Sequence, residues 1–124
     1  MGQAKPFRAV ALIVEDDVTQ REMLSMLLEE SGYQVIQCES GDAACQVLDD
    51  SANRLQLMMT DVQLAGKMDG VELAHIAKSR NPGLDVVVTS GRPLTQSLPS
   101  GAKFWPKPWA PLDVLREAEI AQLS

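Results

Sequence analysis

The sequence predicts a doubly wound α/β fold built on a five-stranded parallel sheet, with a compromised fourth helix. Short apolar runs alternate with amphipathic stretches, Gly, Pro and Asn residues punctuate the joins, and acidic residues and a lysine follow several of the runs. Ligands of such sheets bind where the strands end. The first run, residues 10–14, reads Val-Ala-Leu-Ile-Val and is the first strand. A helix over 19–30 follows, with Thr19 and Glu22 in capping-box spacing, Met23, Leu24, Leu27 and Leu28 along one side, and Gly32 as its stop.

Residues 34–38 form a second strand, 42–49 a second helix carrying Ala44, Val47 and Leu48, and 57–60 a third strand. After a loop rich in Gly and Lys, Asp69-Gly70 opens a third helix whose apolar side is Val71, Leu73, Ala74 and Ala77. Asn81-Pro82-Gly83 stops it before a fourth strand over 86–89. The alternation then weakens. Residues 92–101 contain Pro93, Pro99 and Gly101, which leaves room for at most a helical turn where a crossover between parallel strands usually takes about a dozen residues or more. An irregular, highly mobile loop is expected there. Residues 103–106 form a short fifth strand, and Pro111 takes the first position of a last helix carrying Leu112, Leu115 and Ala118.

A chain of 124 residues suits one domain with its own core, expected over 9–124 behind a short polar tail, 1–8. Apolar content of 45% and charged content of 23% are ordinary for a globular protein. No stretch approaches the roughly 18 apolar residues of a membrane span, and no signal core follows the N-terminus. A soluble, cytoplasmic protein with no membrane contact is expected. A net charge of −6 disfavours direct nucleic-acid binding, which needs a basic face. Cys38 and Cys45, with a single His75 elsewhere, fall short of a metal or redox set and read as buried, reduced thiols.

The chemistry gathers on Asp61, at the end of the third apolar run, with Glu15, Asp16 and Asp17 after the first strand and Lys107 after the fifth. A carboxylate can attack phosphorus if a divalent cation offsets the charge on nucleophile and phosphoryl group. Mg²⁺ prefers oxygen ligands from one or two carboxylates and water, so Glu15, Asp16 and Asp61 form a suitable cradle. Like charges that close should raise at least one carboxyl pKa and favour cation uptake. Lys107 offers a compact positive charge to a phosphoryl oxygen, and Thr89, ending the fourth strand, offers a hydroxyl.

Each signal has a plainer reading. Acidic residues after a strand are often helix caps, Asp61 alone reads as a turn residue, Thr89 as a β-former and Lys107 as a solvated charge. Their joint placement at four strand ends favours a phosphoryl-accepting site.

These residues fall into motifs. Leu12-Ile13-Val14-Glu15-Asp16-Asp17, Arg21, Met59-Thr60-Asp61-Val62, Met68-Asp69-Gly70-Val71-Glu72-Leu73, Val88-Thr89-Ser90-Gly91 and Pro106-Lys107-Pro108 occur in that order. With them the chain resembles the receiver domain of two-component response regulators, over residues 10–123. The resemblance implies a flavodoxin-like sheet in the order 2-1-3-4-5. It implies that Asp61 accepts a phosphoryl group from a phosphohistidine on a histidine kinase or histidine phosphotransfer protein. Asp16, Asp61 and the backbone carbonyl of Gln63 would ligate Mg²⁺ directly, with Glu15 acting through water. Thr89 would swing toward the phosphoryl group, Lys107 would pair with it, and Phe104 would move inward as the switch aromatic. The Lys107-Pro108 peptide is expected to be cis.

The chain also departs from the family. The loop after Asp61 has Ala65 where a proline is commoner and one more residue before Gly66. The shortened 92–101 segment puts in doubt the usual dimer through the fourth helix, fifth strand and fifth helix, leaving a monomer or a weak phosphorylation-dependent dimer. Trp105 and Trp109 read either as one core and one edge-capping residue or as an exposed partner anchor. Glycine at 91, beside the expected path of attacking water, predicts a phosphoryl group that is not unusually long-lived. Two other functions remain: a degenerate receiver that binds partners without phosphorylation, and a Mg²⁺-dependent aspartyl phosphohydrolase. The second usually needs an aspartate where this chain has Gln63. Beyond self-catalysed phosphotransfer and dephosphorylation, no enzyme activity is expected.

Overall fold

A computed structural model describes residues 8–123 of the chain. The expected tail over 1–8 lies, apart from Arg8, outside the described residues, as does Ser124. Strand β1 (Ala9–Val14) leads to helix α1 (Val18–Glu30), β2 (Tyr33–Cys38) to α2 (Gly41–Ser51), and β3 (Leu55–Asp61) to α3 (Gly70–Arg80). Strand β4 (Asp85–Ser90) then runs through an irregular segment to β5 (Lys103–Pro106) and the last helix, α4 (Pro111–Leu123). All five strands are parallel, in the order β2-β1-β3-β4-β5. This is the flavodoxin-like arrangement, whose order reverses beside β1 and β3.

Parallel strands covered on both faces bury both of their side-chain rows. Leu12, Val14, Met58, Val86 and Val88 point into the layer under α2 and α3, with Ala44, Leu48, Leu73, Ala74 and Ala77 against them. Ala11, Ile13, Leu57, Met59 and Val87 point the other way, toward α1 and α4, where Leu24, Leu28, Val114, Ala118 and Ala121 cover them. The sheet is therefore the centre of two cores.

Local chemistry sets the helix ends. Asp69 caps α3 in a full capping box with Glu72, and Ser40 caps α2 through the Ala43 N–H. For α1 the expected Thr19 and Glu22 box is not the cap. Asp17 accepts the Gln20 N–H at 2.9 Å instead, so the helix starts one residue earlier. Gly32, at φ 93°, follows the C-cap as expected. Two residues assigned to apolar sides face solvent: Met23 is 38% exposed and Leu112 53%. In α4 the buried row is Val114, Glu117, Ala118 and Ala121.

Residues 91–102 contain no helix. Pro93 and Pro99 lack the N–H that a helical ladder needs. The segment is pinned across α3 instead. His75 Nε2 donates to the Ser97 carbonyl at 2.9 Å, Gln96 Nε2 donates to Asp69 Oδ2 at 3.1 Å, and Leu98 and Ala102 pack on the core under α3. Cys38 is buried and Cys45 only half-buried, and both thiols are free. Burial pushes both thiols up from their ordinary range. Trp105 and Trp109 are both half-buried, packed from outside on the core under α4, so neither is a core residue.

Candidate functional site

Asp61 is the last residue of β3 and lies in register with Thr89 of β4, which lies in register with Trp105 of β5. The next residue, Val62, donates its N–H to the Thr89 carbonyl at 2.9 Å, so the loop leaves the sheet from a fixed point. Glu15 follows β1 and donates its N–H to the Cys38 carbonyl at 3.0 Å. Its carboxylate turns inward and accepts the Asp17 N–H at 3.1 Å, while Arg21 Nη1 donates to the Glu15 carbonyl at 2.8 Å. Lys107, beyond β5, is held by its N–H on the Ser90 carbonyl at 2.8 Å. The Lys107-Pro108 peptide is cis.

These anchors bring the side chains together. Oxygens of Glu15, Asp16 and Asp61 all lie within 4.8 Å of one another. Lys107 Nζ sits 2.9 Å from Asp61 Oδ2 and 3.5 Å from Glu15 Oε1. The other Asp61 oxygen, Oδ1, accepts the Gln63 N–H at 3.3 Å. Thr89 is buried at the same end of the sheet, and Phe104, in register with Val88, is half-buried on β5.

Charge governs this corner. Glu15 is only 3% exposed; burial, and then the charge of Asp61, push its carboxyl above the ordinary range against the Asp17 N–H hydrogen bond and the pull of Lys107. Burial works against the Lys107 ammonium, but hydrogen bonding and attraction to Asp61 and Glu15 outweigh it and hold its pKa up. Three carboxylates thus face one ammonium. A hard divalent cation fits that excess of oxygen donors, and no thiol or imidazole in the group would draw a softer metal.

Two neighbours are less evident from sequence. Gly70 opens α3 directly against the Asp61 backbone, with its N–H on the Val62 carbonyl at 2.8 Å. Ser90 is buried beside Thr89 and accepts the Arg92 N–H on Oγ at 3.0 Å, which turns the chain away from the site. The turn leaves Gly91 exposed, with open space where a Cβ would stand. Only the closeness of Asp69-Gly70 to a capped helix hinted at the first of these, and nothing local marked the second.

Residues 11–104 match the response regulator receiver domain family. The chain is 31% identical over 113 residues to the response regulator receiver protein CpdR of Brucella abortus, covering 87% of this chain and 92% of that one. It is 35% identical over 79 residues to a cyclic di-GMP phosphodiesterase of Thermotoga maritima, covering 64% of this chain but 20% of that longer protein. Among solved structures, the receiver domain of the hybrid histidine kinase CckA superposes with a TM-score of 0.79 at 26% identity, over 91% of this chain and 98% of that one. A response regulator receiver protein from Sinorhizobium medicae, 19% identical, has the same fold, with a TM-score of 0.84 over 94% and 96% of the two chains.

Proposed function

Because the chain belongs to the response regulator receiver domain family, we propose that it accepts a phosphoryl group on Asp61 from a phosphohistidine of a histidine kinase or histidine phosphotransfer protein. The observation that carries this reading is the contact of Lys107 Nζ with Asp61 Oδ2 at 2.9 Å, beside the oxygens of Glu15 and Asp16. We take the receiver to run over 9–124, with 1–8 as a tail.

An Asp61 carboxylate oxygen attacks the phosphorus, the P–N bond breaks, and its electron pair returns to the imidazole. Glu15, Asp16, Asp61 and the Gln63 carbonyl would hold Mg²⁺, which when bound offsets the charge of nucleophile and phosphoryl group. Lys107, already against Asp61, exchanges that contact for one to a phosphoryl oxygen. Thr89 contributes its hydroxyl to another, and Phe104 follows Thr89 inward. Phosphorylation then favours the arrangement that satisfies the added charge, biasing the surface of β5 and α4. Receiver domains are signalling domains, and here self-catalysed transfer and dephosphorylation are the only reactions assigned. We take the protein to act in the cytoplasm, as a monomer or weak phosphorylation-dependent dimer. Among the described residues, no helix is long and apolar enough to cross a membrane.

Incubation with a small phosphodonor and Mg²⁺ should add one phosphate-sized mass that Asp61→Asn abolishes. No addition from either a small donor or a cognate kinase would sink the reading in favour of a phosphorylation-independent interaction module.

A further inference from the structure

Asp85 opens β4, Lys103 opens β5 and Glu117 lies mid-helix in α4, so in sequence the three are unrelated. The strand pleat relates them. Asp85 shares a strand face with Val87, and Val87 is in register with Lys103, so both charged side chains stand in the layer that α4 covers. Glu117 comes down on them from the buried row of the helix, between Val114 and Ala121. Lys103 Nζ lies 2.5 Å from Glu117 Oε2 and 3.7 Å from Asp85 Oδ1. The carboxylates are nearly sealed, their side chains 11% and 5% exposed for Asp85 and Glu117.

One lysine cannot neutralise two enclosed carboxylates, and Asp85 Oδ2 is buried without a hydrogen-bond partner. Such an oxygen is costly as part of an anion, whereas a proton removes the excess charge and creates a donor. Among the described residues, no other element supplies a second cation. From β2, Tyr33 gives its hydroxyl hydrogen to the Ala118 carbonyl at 2.6 Å, and its own pKa is pushed up to about 12 by burial and by the two acids. From α1, β1 and β3 the facing side chains are the apolar Leu24, Leu28, Ala11, Ile13, Leu57 and Met59. On α4 itself, the sequence neighbour Arg116 is exposed.

We propose that Asp85 and Glu117 hold one proton between them beneath α4, and that losing it loosens α4 from β4 and β5, so that the β5–α4 surface responds to pH. The proton resides on Asp85. Burial first, then the hydrogen bond and charge of Glu117, push Asp85 from 3.8 up to about 7. Burial also acts on Glu117, but hydrogen bonds from Asp85 and Lys103 outweigh it and hold that carboxyl below its usual range.

The two acids have opposite signs. Asp85, raised in the folded state, contributes stability that is complete below its ordinary value and lost as pH rises through about 7. Glu117, lowered, contributes stability present above its ordinary value and lost as pH falls through the lowered one. Docking of α4 is therefore best in the acidic range between them, and neutral pH is its upper edge.

Trp105 and Trp109 report on this layer, since with Arg116, Glu117 and Ile120 they line a recess of about 440 Å³ at the outer side of α4. The full chain is titrated from about pH 5.5 to 8.5, following tryptophan emission and amide-exchange protection of α4 corrected for intrinsic rates. Protection should fall by up to about tenfold per pH unit as pH rises toward about 7, the limit for one linked proton, and level off above it. Asp85→Asn, neutral at every pH and still a donor, should flatten both profiles; Glu117→Gln, which removes the paired charge, should do the same and serves if the first variant does not fold. A flat wild-type profile overturns the proposal, as does a wild-type transition that survives in either folded variant. The outcome does not depend on phosphorylation of Asp61.

Discussion

A Cβ placed on Gly70 would stand 2.0 Å from the carbonyl oxygen of Asp61 and 3.0 Å from Thr60 Oγ1. The first turn of α3 thus lies against the backbone that presents the Asp61 carboxylate. Gly70→Ala must displace one or the other. It should cost about 1–3 kcal/mol in urea unfolding, the range for overpacking, and slow phosphorylation of Asp61 by up to about a hundredfold, because misplacing a reacting group by about an ångström has that effect. Unchanged transfer kinetics would show that α3 yields instead.

Lys107 does two jobs that one substitution separates. Lys107→Ala removes the ammonium that pairs with Asp61 Oδ2 in the resting site, so calorimetry should find Mg²⁺ bound at least as tightly as in the wild type. The same variant should lose about 10²–10³-fold in phosphorylation rate, the cost of deleting one donor aimed at developing charge. A parallel fall in both quantities would assign the lysine a structural role.

Asp69 caps α3 through the Glu72 N–H at 2.9 Å and also accepts Gln96 Nε2 from the 91–102 segment. Asp69→Ala should cost about 0.5–2 kcal/mol, as lost caps do. Gln96→Ala should leave stability within about 0.5 kcal/mol, the usual range for an exposed side chain. Both variants should raise amide exchange around Ser97. If neither does, the anchors at His75 and Leu98 suffice.

Burial separates two leucines that look alike in sequence. Leu48 is 1% exposed and Leu112 53%. Leu48→Ala should lose about 2–5 kcal/mol with its cavity, and Leu112→Ala should stay within about 0.5 kcal/mol of the wild type in chemical denaturation.

Nothing lies within 4 Å of a Cβ built on Gly91, so position 91 carries no side chain that could shield the site. The phosphoaspartate should not be unusually long-lived, and Gly91→Tyr should prolong it severalfold, followed by loss of the added mass after donor removal. A wild-type half-life of many hours would count against the unshielded path.

What the sequence determined by itself was local. Apolar runs fixed the strands to within one or two residues, the Asp69 and Glu72 pair marked the start of α3, and prolines at 93 and 99 forbade a regular fourth helix. The placement of the candidate site was legible too, because a parallel sheet puts every strand end on one side and Glu15, Asp16, Asp61, Thr89 and Lys107 all sit at such ends. Choices between nearly equal local options were not legible: Asp17 outcompeted Thr19 as a cap, and Met23 and Leu112 turned to solvent although their spacing suited a buried row. Tertiary structure alone decided the pinning of 91–102 across α3 and the enclosure of Asp85, Lys103 and Glu117 under α4. Each of those three charges reads as solvated on its own segment. Their burial depends on which strand face points at which helix, a relation set by the crossovers between strands rather than by any residue's neighbours in the chain.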